Sequence, residues 1–151
     1  MQLKFSQYAL KLKTENEKQF IYDIVRKKYI TLGPEEWVRQ HILHYLIFDY
    51  HFPKSLISVE KKLTLNELTK RTDILLFNHN STPLLIIECK APDIILNPKT
   101  FEQIAGYNLT LRVPYLWITN GKQNILSKID HQTSSFSFLK ILPTVDELLS
   151  K

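Results

Sequence analysis

The apolar positions of this chain fall into short runs separated by polar, turn-forming stretches. The clearest pair is Ile74-Leu-Leu-Phe77 and Leu84-Leu-Ile-Ile87, joined by Asn78-His-Asn-Ser-Thr-Pro83. Two Ile/Leu-rich runs around a turn predict a β-hairpin across Arg71 to Lys90. Upstream, Thr31-Leu-Gly-Pro-Glu-Glu36 reads as a helix start. Gly33 or Thr31 lies at the cap, Pro34 suits the first helical position, and Glu35 and Glu36 favour the positive end of the dipole. Val38, Ile42, Tyr45 and Leu46 then recur at helical spacing, so the helix is predicted to reach about Tyr50 and stop before Pro53. Leu56 to Leu63 reads as one strand leading into the hairpin through Thr64 to Lys70.

After Ala91-Pro92, Asn97 or Thr100 caps a second helix with Phe101, Ile104, Ala105 and Leu109 on one stripe, ending near Arg112. Pro114 to Thr119 predicts a strand, closed by the turn signal Asn120-Gly121. Lys122–Ile129 and Ser135–Leu142 predict a last strand pair, and Thr144 caps a short helix over Val145–Leu149. The N-terminal part is weaker. Met1 to Lys13 alternates loosely, Thr14 to Lys18 reads as turn or loop, and Phe20 to Val25 as a short strand or a single helical turn. A helix joining two strands of one sheet makes a right-handed crossover, which predicts parallel pairing between the second hairpin strand and Pro114–Thr119. The expected fold class is α/β: one domain over 1–151, a mixed sheet flanked by helices, with a core at about 31–125 and flanking strands and helix at 1–30 and 126–151.

Composition narrows the function. The chain has 151 residues, 44% hydrophobic and 23% charged, ordinary for a globular domain with its own core. No apolar run approaches the ~20 residues of a membrane span, and nothing in Met-Gln-Leu-Lys-Phe-Ser-Gln resembles a secretion signal, so an intracellular, cytoplasmic location is expected. The single cysteine, Cys89, excludes an internal disulfide and a Cys-rich zinc site. Three glycines, Gly33, Gly106 and Gly121, have neither phosphate-loop nor dinucleotide spacing, so no NTP-driven motor is expected in this chain. Net charge is +5, which permits a polyanionic partner without requiring one. Arg26-Lys-Lys28 reads as a solvated surface before it reads as a phosphate contact. His41, His44 and His51 lack the spacing of a zincin and are taken as structural or surface residues.

The chemistry concentrates at the ends of the hairpin. Asp73 opens its first strand and Glu88 closes the second, so antiparallel pairing brings them together. Alternation puts Glu88 and Lys90 on one face and turns Cys89 to the other, as a core residue. Two carboxylates can hold Mg²⁺ or Mn²⁺ with waters and the Cys89 carbonyl, and Lys90 can orient a water or stabilise developing negative charge. Gln103 and Tyr107 share a helix face four residues apart. The plainer readings are an Asp73–Lys90 structural ion pair and a core role for Tyr107.

Asp73 followed by Glu88-Cys-Lys90 on the next strand, with Gln103-x-x-x-Tyr107 on the helix beyond, resembles the PD-(D/E)XK nuclease superfamily and its RecB-like members. With Pro34-Glu-Glu-Trp-Val-Arg39, Arg71-x-Asp73, Glu88-Cys-Lys-Ala-Pro92 and Asn120-Gly121, residues 20 to 125 are similar to the N-terminal nuclease domain of type I restriction enzyme R subunits. Thr72 stands where the superfamily name has proline, and the motor that follows in those subunits is not expected here. The resemblance implies a restriction-endonuclease-like fold and a metal-dependent endonuclease acting on DNA. It also implies a separate motor or specificity subunit as partner, with homodimerisation a further expectation. In site residues it implies Asp73, Glu88 and Lys90 as the catalytic set. Glu36 would join the metal ligands, with Glu35 as its rival. Gln103, Tyr107 and Arg71 would support the site or touch nucleic acid. The alternative is a non-cleaving nucleic-acid-binding or partner-docking module of the same fold.

Overall fold

The computed structural model describes residues 8–65 and 67–150. Its N-terminal part is a three-stranded antiparallel sheet: β1 (Leu12–Glu15), β2 (Lys18–Asp23) and β3 (Lys28–Thr31). Of the stretch Thr14 to Lys18, read as turn or loop, only Asn16 and Glu17 form the turn, both at positive φ; Thr14 and Glu15 belong to β1 and Lys18 to β2. Of the strand sketched over Met1–Lys13, residues 1–7 lie outside the described residues. The short element read over Phe20 to Val25 is the strand β2, which starts earlier, at Lys18, and ends at Asp23, before Ile24 and Val25.

Helix α1 (Pro34–His44) starts from an extended Gly33 with Pro34 in its first turn, and continues as one wide π-helical turn over Tyr45–Asp49. A short turn leads to β4 (Ile57–Val59). The single strand expected from Leu56 to Leu63 is divided here. Glu60 takes a left-handed φ of 55°, and the chain leaves the sheet to form a separate ribbon of β5 (Lys62–Leu65) and β6 (Leu68–Arg71). Arg71 therefore ends the ribbon instead of opening the central hairpin.

That hairpin is β7 (Ile74–Phe77) and β8 (Pro83–Cys89), with Ile74 opposite Ile87 and Leu75 opposite Ile86. Asn97 caps α2 (Pro98–Leu111), its side chain accepting from the Thr100 N–H at 2.9 Å. The chain returns as β9 (Tyr115–Thr119), parallel to β8 as the crossover requires, then β10 (Asn124–Asp130), β11 (Ser135–Leu139) and α3 (Val145–Leu149). Thr144 caps α3. Gly121 supplies the positive φ of 92° that the β9–β10 turn needs, while the Asn120 carboxamide accepts from the N–H groups of Lys122 and Gln123.

The main sheet runs β11-β10-β9-β8-β7-β4. Its alternation divides the core. Ile74, Leu76, Leu85, Ile87, Cys89 and Trp117 pack with α1 and α3, whereas Leu75, Ile86, Leu116 and Ile118 pack with α2. Because β8 is covered on both faces, it reads as a continuous apolar run instead of an alternating one. Truncating any of its buried leucines or isoleucines to alanine costs about 2–5 kcal/mol. The result is a mixed sheet between helices.

Candidate active site

The site forms where the apolar hairpin runs out. Glu88 follows Ile86 by two residues and so takes the α2 face, and Asp73 precedes Leu75 by two and takes the same face. The pairing of Ile74 with Ile87 carries Asp73 to the level of Glu88. Asp73 is fixed from several sides. Its Oδ2 accepts from the Cys89 N–H at 2.7 Å, its backbone carbonyl accepts from Glu60 at 3.0 Å, and its Oδ1 lies 3.8 Å from Arg39 Nη1. The preceding Thr72 is fully buried and donates its hydroxyl to the Lys61 carbonyl at 2.8 Å. A proline there would lose the amide bond that Thr72 also donates to the same carbonyl at 2.9 Å.

Glu88 is 6% exposed. Burial, then the charge of Asp73, push its carboxyl up to about 7; the Lys70 ammonium pulls the other way. Lys70 Nζ stands 3.3 Å from Glu88 Oε1, an ion pair without hydrogen-bond alignment, so that buried oxygen has no hydrogen-bond partner. Lys70 also lies 4.9 Å from the ring centroid of Tyr107. The ribbon thus inserts an ammonium between the hairpin carboxylate and α2.

Tyr107 is 48% exposed, which removes the core reading, and Gln103 is exposed one turn earlier. Arg71 is exposed at the end of β6. Lys90 is half-buried just past β8, its N–H donating to the Thr119 carbonyl at 2.8 Å. Among the described residues no ion pair joins Lys90 to Asp73 or Glu88, so the structural-pair reading is not what the fold forms. Cys89 is buried with the α1-side core, and burial pushes its thiol well above the ordinary range, so it is no thiolate nucleophile.

Glu36 takes a different setting from Asp73. Its carboxylate accepts from Arg39 at 3.0 and 2.8 Å and from the Gln40 amide at 3.0 Å, and Arg26 lies 3.5 Å away. Glu35, its rival one residue earlier, is exposed. Arg39 links this buried network to Asp73 and also reaches Glu60 at 3.3 Å. His41 and His44 are structural: each Nδ1 is 2.7 Å from the carbonyl four residues back. Sequence reasoning missed Lys70 and Arg39. A signal existed for the second, since Glu36 and Arg39 stand at i,i+3 on one helix; Lys70 had none, because its contact depends on how the ribbon folds over.

The comparisons with known proteins bear on this arrangement. A family model described as Type I restriction enzyme R protein N terminus (HSDR_N) matches residues 34–143. This chain belongs to that family. The match takes in α1, both carboxylates, α2 and the strands to β11, leaving the N-terminal three-stranded sheet outside. No curated protein matches the chain. Among solved structures, a fragment assigned as an HsdR subunit of a type I restriction enzyme from Vibrio vulnificus YJ016 is 23% identical, with a TM-score of 0.43 over 62% of this chain. The match spans 20% of that structure's chain.

Among the described residues no three His, Cys, Asp or Glu side chains gather as a metal cluster, so any cation here rests on two carboxylates. No helix in the described residues is long and apolar enough to cross a membrane.

Proposed function

We propose that this domain is a divalent-metal-dependent endonuclease that hydrolyses DNA phosphodiester bonds, with Asp73 and Glu88 holding Mg²⁺ or Mn²⁺. The observation that carries the reading is Glu88: a buried carboxylate beside a second one, raised to about 7, with one oxygen lacking a hydrogen-bond partner. Two converging carboxylates, one with Arg39 at 3.8 Å and one with Lys70 at 3.3 Å, would suit a small dication completed by waters and the Cys89 carbonyl. Such a cation supplies a more acidic bound water and neutralises charge on the phosphate.

The protein's own groups carry the rest. Arg39 and the Cys89 N–H hold Asp73 in place, which pre-organises one ligand. Glu36, engaged by two arginines, acts chiefly through Arg39, although it remains a candidate ligand if that network opens. Lys70, 3.3 Å from Glu88 Oε1, would compete with a dication for that carboxylate. Lys90, two residues after Glu88, is the ammonium we assign to the developing negative charge at phosphorus. Gln103, Tyr107 and Arg71 are each exposed, which suits contact with the nucleic-acid backbone. In the setting the family name describes, a restriction enzyme's R protein, the partners are DNA and the other subunits of that enzyme, with a homodimer as a further possibility for assembly.

The test is incubation with supercoiled plasmid and with single-stranded DNA in Mg²⁺, Mn²⁺ or EDTA, alongside Glu88→Gln. Metal-dependent cleavage lost in the variant supports the reading. If the wild-type chain binds DNA and never cuts, the non-cleaving binding module takes its place.

A further inference from the structure

The N-terminal sheet lies outside the family match, and its solvent face is built in an unusual way. On β2, Ile21 and Asp23 are fully buried, with Asp23 bonded to Gln40 of α1. Alternation turns Lys18, Phe20 and Tyr22 outward. Register places Lys13 opposite Phe20, Tyr29 opposite Tyr22, and Glu15 opposite Lys18. The rings of Tyr22 and Tyr29 meet edge to face at 5.2 Å.

Their covers are lysines. Lys13 Nζ is 4.4 Å from the Tyr29 ring centroid and 5.7 Å from that of Phe20, and Lys11 Nζ is 5.3 Å from that of Tyr22. The acid on this face, Glu15, lies 3.4 Å from Lys13. Lys11 and Tyr22 continue into a groove of about 590 Å³ against the end of α1, where Tyr8 and the 57%-exposed Phe48 add two more rings. Asp49 stands at that groove with its carboxylate bonded to the Tyr8 hydroxyl.

We propose that this face is a stacking platform for single-stranded DNA. Flat rings can take unpaired bases of any identity once the flexible ammonium groups lying over them swing away to the phosphates. A duplex keeps its bases stacked inside and offers this face only its charge. The other use of such rings, cross-strand pairing that stabilises a small sheet, needs apolar area but no nucleic acid. The platform is also tied to the carboxylate pair. Asp23 ends β2 and binds Arg26, which reaches Glu36 and Glu60, both partners of Arg39. The choice of DNA over RNA rests on the function proposed above; the platform itself rests on the rings and lysines.

The test is fluorescence anisotropy on the full chain in EDTA, so that binding is read without cleavage and either proposal can fail alone. Probes are oligo(dT) of about 20 nucleotides, an abasic strand of equal length, a duplex and oligo(rU). The expected result is at least about tenfold tighter binding to oligo(dT) than to the abasic strand or the duplex. Tyr29→Leu, which keeps apolar area on an edge strand, should lose about fivefold or more on oligo(dT) and little on the abasic strand, whereas Tyr29→Phe should bind as wild type. Equal affinity for oligo(dT) and the abasic strand overturns the proposal, as does a folded Tyr29→Leu protein that binds normally. Tighter binding to oligo(rU) than to oligo(dT) overturns the assignment to DNA.

Discussion

Asp23 and Glu88 are both buried carboxylates, and the fold treats them in opposite ways. Asp23 is fully buried, which by itself pushes its carboxyl up. Four donors outweigh that: the N–H groups of Val25 and Arg26 at 2.8 and 2.7 Å, Arg26 Nε at 2.7 Å and the Gln40 amide at 3.0 Å. The net result lies below the ordinary range. Glu88 is almost as buried, yet it has one misaligned ammonium and a second carboxylate for company. A carboxylate that only holds a fold together is surrounded by donors. One left undersupplied at the end of a rigid hairpin is positioned to take positive charge from elsewhere.

The sharpest way to break this contrast is to cut each side and read activity. Glu88→Gln is expected to lower metal-dependent plasmid cleavage by at least about a hundredfold while the chain stays folded, because a neutral amide is a poor ligand for a hard dication. Lys90→Ala should cut as poorly yet still bind Mn²⁺, since an ammonium is no ligand. Calorimetric Mn²⁺ titration separates the two, and wild-type cleavage by both would leave the site without a catalytic role. Asp23→Ala is expected to act on the fold: it removes the acceptor for the Val25 and Arg26 N–H groups and leaves Arg26 and Gln40 only their contacts to Glu36 and Glu60, and it should cost about 3 kcal/mol in denaturant unfolding. A loss near zero would mean that the Asp23 network is not structural.

The contrast also predicts two limbs in stability against pH, measured in EDTA. The raised carboxyl of Glu88 binds a proton more tightly folded than unfolded. Its ionisation therefore costs stability as pH rises from the ordinary glutamate range toward its raised folded value. Asp23 has the opposite sign. Its contribution is present above the ordinary aspartate range and is lost as pH falls through its lowered folded value. Glu88→Gln should flatten the neutral limb and leave the acid limb unchanged. A neutral limb that persists in that variant would place the titrating group elsewhere.

How much of this could be read from the residues follows the same division. The hairpin, the cap at the start of α2 and the parallel return of β9 were legible because each has a local signal: apolar runs with a turn, an Asn directly before a Pro-led helical stripe, a crossover of fixed hand. The meeting of Asp73 and Glu88 was legible because both sit at the hairpin ends away from the turn, where antiparallel pairing brings them level. The split of Leu56–Leu63 was not, since the break at Glu60 rests on a left-handed turn with no Gly or Asn to announce it. The ribbon beyond it reads as polar alternation, so Lys70 could not be placed, and Lys90 held the position that Lys70 occupies beside Glu88.

The smallest expected effect tests that substitution of one lysine for another. Among the described residues Lys70 is the cation set against Glu88, 3.3 Å from its Oε1, and a dication held there would compete with it. Lys70→Gln removes its charge, so ionised Glu88 loses its attraction and the carboxyl should move further up. Because Lys70 is partly exposed and misaligned, the change should be about 1 kcal/mol, or less than one pH unit on the neutral limb. The same variant removes a competitor for the site, so Mn²⁺ binding at neutral pH should tighten by a few-fold even as the carboxyl becomes harder to ionise. The two effects oppose each other as pH falls, and the gain in affinity should shrink toward pH 6. Titrations of wild type and Lys70→Gln at two pH values measure this directly. Weaker Mn²⁺ binding at both would make Lys70 a support for the metal site instead of its placeholder.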